Sequence, residues 1–195
     1  MRWSERMKSN QDAGMGELLG FLRNISPEQL RRAPGTSRAK YPSPGSNYKP
    51  VLLLTVIHRI CGGSPFYRDG IVRYAPSTED FASVYDACYG AGASKPVQPK
   101  VTQAFWYLGA GRPRVWKLVA NEGQEIELEN AIKNKVQVKL QTRLLELVSH
   151  AEMPEEIMAL LRDRTAARAI LAYLKQEFFP PSLQETLDRS LSKLK

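Results

Sequence analysis

Residues 101–119 read VTQAFWYLGAGRPRVWKLV, and how this stretch folds decides the architecture of the chain. VTQAFWYL is β-branched, aromatic or apolar apart from Gln103, the composition of a strand. Gly109-Ala110-Gly111-Arg112-Pro113 is turn chemistry, and Arg114 to Val119 reads as a second strand, so a β-hairpin is expected. Ala104, Trp106, Leu108, Trp116 and Leu118 would share one face of it. Gln103, Phe105, Tyr107, Val115 and Lys117 would share the other.

Working upstream, residues 90–99 are a loop by composition. Before them, Phe81, Val84, Tyr85 and Cys88 recur at helical spacing, with Ser77 as expected cap, Asp80 at the reciprocal capping position and Gly90 as the stop. Residues 71–74, IVRY, read as a short strand. A helix from Tyr48 to Ile60 carries Pro50 in its first turn, is apolar nearly all round and must therefore be central; Gly62-Gly63 ends it. Residues 33–47 form a Pro/Gly/Ser-rich basic linker, and residues 12–24 an amphipathic arm with Leu18, Leu19, Phe21 and Leu22 on one side. Downstream, helices are expected over 125–150, 154–162, 165–177 and 183–194, with Leu140, Leu144, Leu147 and Val148 as an apolar stripe. The expected fold is α+β and mainly helical: an arm and linker over 1–47, a winged-helix-like DNA-binding core over 48–120, and a C-terminal helical subdomain over 121–195 packed on the core.

The 195 residues carry a formal charge of +8 with 43% hydrophobic content, which points to a globular protein with a polyanionic partner. No apolar run reaches the length of a spanning helix, and MRWSERMKSNQD lacks the apolar region of a signal peptide, so no membrane partner and a cytoplasmic location are expected. Cys61 and Cys88 are too few for a disulfide framework and read as reduced core thiols. His58 and His150 stand in no nuclease or zinc pattern, and Glu122, Glu125, Glu127 and Glu129 suit a helix start. Hence no catalytic residue, metal or cofactor is expected.

The cations are concentrated in the first two thirds, and Lys95, Lys100, Arg112, Arg114 and Lys117 surround 101–119 with no acid among them. Arg112 and Arg114 at the hairpin tip would form a wing lying along phosphates. Phe105, Trp106 and Trp116 are core candidates, and Tyr48 and Tyr107 are candidates for exposure beside a ligand.

Four segments occur here in a fixed order: Tyr48-Lys49-Pro50 with its leucines, IVRYAPSTEDFASVYDA, AFWYLGAGRPRVWKL and AILAYLKQEFFPPSLQETL. Together they resemble the sulfur-binding domain of phosphorothioate-sensing HNH-type restriction endonucleases, over residues 48–187. The resemblance implies binding of duplex DNA, including backbone-modified DNA, for a restriction or defence system, with the nuclease effector on a separate chain or domain. It implies that Lys49 meets the DNA backbone and that Phe105-Trp106 matches the family's Phe-Trp. Tyr48 stands where His is usual, and Gln103-Ala104 where Tyr-Pro forms much of the sulfur cup, so little preference for sulfur over oxygen is expected. The DNA-binding set is Tyr48, Lys49, Arg73, Lys100, Gln103, Ala104, Phe105, Tyr107, Arg112, Arg114 and Lys117. The alternatives are a winged-helix regulator that binds its operator as a homodimer through the C-terminal helices, and a metal-dependent nuclease.

Overall fold

The structure, a computed structural model, describes Gly16 and residues 48–67, 69–90, 97–111 and 115–194, without the side chains of 97–100 and 111. The arm over 12–24, the linker over 33–47, and Arg112 and Arg114 lie outside the described residues. Among the described residues the chain is mainly helical with one small antiparallel sheet. In order it forms α1 (Tyr48–Cys61), a 3-10 turn (Pro65–Tyr67), β1 (Ile71–Val72), α2 (Tyr74–Tyr89), α3 (Val97–Gly111) and β2 (Lys117–Ala120). Then come α4 (Glu125–Lys133), α5 (Gln141–Leu147), β3 (Val148–Glu152), α6 (Glu155–Arg162), α7 (Arg164–Phe178) and α8 (Pro181–Leu191).

Helix α1 is the centre. Every residue from Pro50 to Ile57 is buried, and the helix packs against α2, α3, α6 and α7. A helix surrounded in this way needs no polar stripe, which is why its sequence is apolar all round. Its one hydroxyl among those residues, Thr55 Oγ1, donates to the Val51 carbonyl at 2.7 Å and so costs no unpaired group. A single apolar cluster extends from Val51 to Leu191.

The expected hairpin over 101–119 does not form. Residues 101–108 belong to α3, and β2 pairs with β3 instead. The reason lies in burial: Val101, Thr102, Ala104, Phe105, Trp106 and Leu108 are all buried, while Gln103, Tyr107 and Ala110 remain partly open. The open positions fall at i, i+4 and i+7, the spacing of a helix and not of a strand. Strand propensity of the aromatic and β-branched residues is overridden by packing on both sides. Pro99, which removes a donor that a first helical turn does not use, suits the beginning of α3.

Three further expectations are corrected. Tyr74, read as the end of the strand, begins α2, so Ser77 lies inside the helix, fully buried, and its hydroxyl donates to the Arg73 carbonyl instead of capping. The helix expected over 125–150 is broken into α4 and α5 and ends in β3, the middle strand of the order β1-β3-β2. Leu144, Leu147 and Val148 are buried as expected for an internal stripe, but Leu140 is 69% exposed. Ser149 is the extra residue of a bulge, since Val119 faces His150 while Ala120 faces Val148.

Two glycines are fixed by close approach. Gly70 has φ +74°, and a Cβ there would lie 2.8 Å from the Met153 carbonyl oxygen. A Cβ on Gly109, in the last turn of α3, would lie 2.4 Å from Leu118 Cγ, the branch point of a side chain that is itself buried.

Elsewhere α1 and α2 are joined by a nearly buried ion pair. Arg59 Nε donates to Asp80 Oδ2 at 2.9 Å, and the Tyr67 hydroxyl donates to the same oxygen at 3.1 Å. Asp80 thus acts as a tertiary tie and not as a reciprocal cap. Burial, then the Asp80 carboxylate, raise the Tyr67 hydroxyl well above its ordinary pKa, so it stays a donor.

Two mutations probe these ties. Gly109→Ala should destabilise by roughly 1–3 kcal/mol in urea unfolding, because overpacking against Leu118 outweighs the gain of about 1 kcal/mol in helix propensity. Asp80→Ala should cost about 3–5 kcal/mol by leaving the Arg59 charge unpaired in a nearly buried position. A cost for Asp80→Ala no larger than that of an exposed-pair variant such as Glu155→Ala would contradict the tie.

Candidate nucleic-acid interface

Helix α1 begins at Tyr48-Lys49-Pro50, and both Tyr48 and Lys49 are half-buried at its start. Helix α3 packs alongside α1 and leaves Gln103 and Tyr107 partly open one turn apart. At this junction Lys49 Nζ lies 5.3 Å from the centroid of the Tyr107 ring. The ring quadrupole attracts the ammonium, which at a partly exposed site contributes about 0.5–1 kcal/mol and holds a long side chain in one place. The structure therefore brings together two of the residues singled out in the sequence, with Gln103 on the same side of α3. An ammonium, an amide donor and a phenol on one face can donate hydrogen bonds to phosphate oxygens while offering an apolar edge.

The remaining residues of the set fare differently. Lys100 is in the first turn of α3, one turn before Gln103. Arg73 is exposed between β1 and α2, and Lys117 is exposed on β2, where its Nζ is 3.8 Å from Glu152 Oε2; both stand at the sheet. Ala104 and Phe105 are fully buried, so neither presents a surface to a duplex. Phe105 is instead packed edge-on against Tyr74 and Trp116, with centroids 5.6 and 5.2 Å away. Tyr74 also shares a buried 2.7 Å hydrogen bond with Thr102, which ties the start of α2 to α3.

Sequence reasoning missed a tie that supports α3. Trp106 Nε1 donates to the Val136 carbonyl at 3.0 Å, so the segment between α4 and α5 is fastened to α3. Just after β2 the Asn121 amide donates to the carbonyls of Leu145 and Glu146 at the end of α5, at 2.6 and 2.8 Å. A tryptophan within an apolar run always raises the question of where its N–H goes, and that was the available signal.

Among the described residues no group of three or more His, Cys, Asp or Glu side chains is placed to hold a metal ion. Cys88 is buried as expected; Cys61 is exposed as a residue, but its Sγ faces the Leu161 carbonyl at 3.5 Å. Burial of the sulfur pushes both thiols up to about 11, which disfavours thiolate chemistry at neutral pH. His58 is half-buried on α1, and burial lowers its pKa below the usual 6.5, only partly opposed by the Leu191 backbone and Asp188 and reinforced by Arg59 and Lys175. No helix of the described residues is long and apolar enough to cross a membrane. No protein-family model matches the chain, and no curated protein is significantly similar to it.

The His58 environment sets a pH dependence. With the folded value depressed, its contribution is complete above about pH 6.5 and is lost as pH falls through the folded value, because the unfolded chain takes up the proton first. Wild type should lose more stability between about pH 7.5 and pH 5 than His58→Gln does, measured by urea unfolding at both. Equal losses in the two proteins would show that His58 protonates freely in the folded state.

Proposed function

We propose that this chain is a duplex-DNA-binding module that meets the DNA backbone with the start of α1 and the open face of α3. The observation that carries the reading is the Lys49 ammonium held over the Tyr107 ring, with Gln103 one turn away. The charge of +8 favours a polyanion, since each cation set against a phosphate releases condensed counterions. The element order supports the same conclusion. Helix α1, strand β1, helices α2 and α3 and strand β2, followed after α4 and α5 by β3, with sheet order β1-β3-β2, are compatible with a winged-helix plan, in which the second helix of the helix-turn-helix enters the major groove. On that plan α3 is the reading helix, and the connection from β2 to β3 takes the place of the wing.

The resemblance to the sulfur-binding domain fits a role as the reader of a defence system, with cleavage supplied by another chain. It also suggests phosphorothioate DNA as a ligand, but the site favours an oxygen backbone: Gln103 offers an amide to a hydrated oxygen, and its neighbour Ala104 is buried. Restoring the family's Tyr-Pro is not a usable test, since Ala104→Pro falls in mid-helix, where proline costs about 3 kcal/mol or more. Discrimination in favour of sulfur is expected to be within tenfold, about 1.4 kcal/mol.

Affinity for a random-sequence duplex should fall steeply between about 50 and 200 mM salt, as binding to phosphates requires. Lys49→Ala should weaken oxygen and sulfur duplexes alike, because its partner is phosphate charge. Tyr107→Ala should weaken binding by a few-fold, in line with the loss of about 0.5–1 kcal/mol of cation–π positioning. Flat salt dependence, or full affinity in Lys49→Ala, would remove this reading.

A further inference from the structure

The segment Lys133-Asn134-Lys135-Val136-Gln137-Val138-Lys139, the last residue of α4 and the loop after it, leads from α4 towards α5 within the connection from β2 to β3. No acidic residue occurs between Glu129 and Glu146. Lys133, Lys135 and Lys139 are exposed, and none of the three forms an ion pair among the described residues. Arg143, Arg162, Lys175 and Arg189, by contrast, each face a carboxylate. The loop is nevertheless well anchored. Val138 is 1% exposed, and the Val136 carbonyl accepts the Trp106 N–H, so the lysines project from a backbone fixed to α3 next to Tyr107.

Lys135 adds an independent observation. Helix α4 ends with Val136 N–H donating to the Ala131 carbonyl at 2.9 Å and Lys135 N–H to the Ile132 carbonyl at 3.1 Å, with Lys135 at φ +53°. That closure places the residue after the cap in the left-handed region, where glycine is favoured because a Cβ is penalised. A lysine there sacrifices local stability, as residues at binding sites do.

We infer that residues 133–139 are a second phosphate-binding element, a lysine-bearing wing fastened to α3 that grips the DNA backbone beside the face meeting Lys49. The inference rests on the DNA-binding reading and extends it to a segment that no motif marked. Lysines are suited to this as point charges that position a duplex without reading its bases. Glu125 and Glu127 lie in the first turn of α4 and Glu129 one turn before Lys133, so the acidic side chains of that helix all precede the lysine-bearing segment.

The test is equilibrium binding of the full chain to an oxygen-backbone duplex of random sequence across a salt series. The variants are Lys133→Gln/Lys135→Gln/Lys139→Gln, Lys135→Gly alone, and Lys49→Ala as reference. The triple variant should bind about tenfold or more weakly, and the slope of log affinity against log salt should flatten by about 0.9 for each phosphate that is no longer neutralised. Lys135→Gly should raise the urea midpoint yet weaken binding several-fold, opposite signs that a purely structural residue would not give. Wild-type affinity and slope in the triple variant, together with weakened binding by Lys49→Ala, would overturn the wing while leaving the α1–α3 face intact. No binding by the wild type at low salt would overturn the DNA reading and the wing with it.

Discussion

The structure depends on the confinement of α3. Its last turn touches Leu118 so closely that Gly109 has no room for a side chain; its middle buries Phe105 against Tyr74 and Trp116; and Trp106 reaches out to the α4–α5 loop. A helix gripped on so many sides cannot rotate or slide without breaking close packing, and protein interiors deform little. Between Val101 and Ala110, what remains open is the narrow set of Gln103, Tyr107 and Ala110. The packing that fixes the fold thereby selects which side chains can meet a partner, and it presents them on a rigid element.

Polar ties complement this apolar frame. Arg59, Asp80 and Tyr67 join α1 to α2, and Tyr74 with Thr102 joins α2 to α3. A buried ion pair contributes little net stability when compared with a well-packed apolar pair, because desolvation offsets the attraction. Its effect is orientation: a misplaced α2 would leave the Arg59 charge and the Asp80 carboxylate without partners. In the same way the Lys49–Tyr107 contact matters less for its energy than for orientation, since it holds the ammonium over the ring where α1 and α3 meet and limits its side-chain freedom.

Helix α1 was legible in the sequence because Pro50, the apolar run and Gly62-Gly63 all point to one element; α6 and α8 were legible from the prolines at their starts, and α7 from its helical pattern. The class, α+β and mainly helical, follows from those. Residues 101–108 were not legible, because an almost wholly apolar run has no visible period and its aromatic content favours a strand. Only the open positions Gln103, Tyr107 and Ala110 carried the helical spacing. Strand β3 was hidden for a related reason, since Leu144, Leu147 and Val148 continue a helical stripe into a segment that pairs on both sides. Of the site residues, Lys49 and Tyr107 were chosen separately and meet in space. Ala104 and Phe105 were assigned to an exposed hairpin face that does not exist, and are core. The Arg59–Asp80 pair and the Trp106–Val136 bond join residues 21 and 30 positions apart, and nothing local announces such pairings.

The central claim, that DNA meets the open face of α3 and the start of α1, is tested most directly by backbone amide chemical-shift mapping of the full chain during titration with an oxygen-backbone duplex at low salt. The largest shifts should fall on Tyr48, Lys49, Gln103 and Tyr107 and on the 133–139 loop, with α7 and α8 unmoved. Shifts confined to α7 and α8, or a spectrum unchanged at saturating duplex, would contradict it.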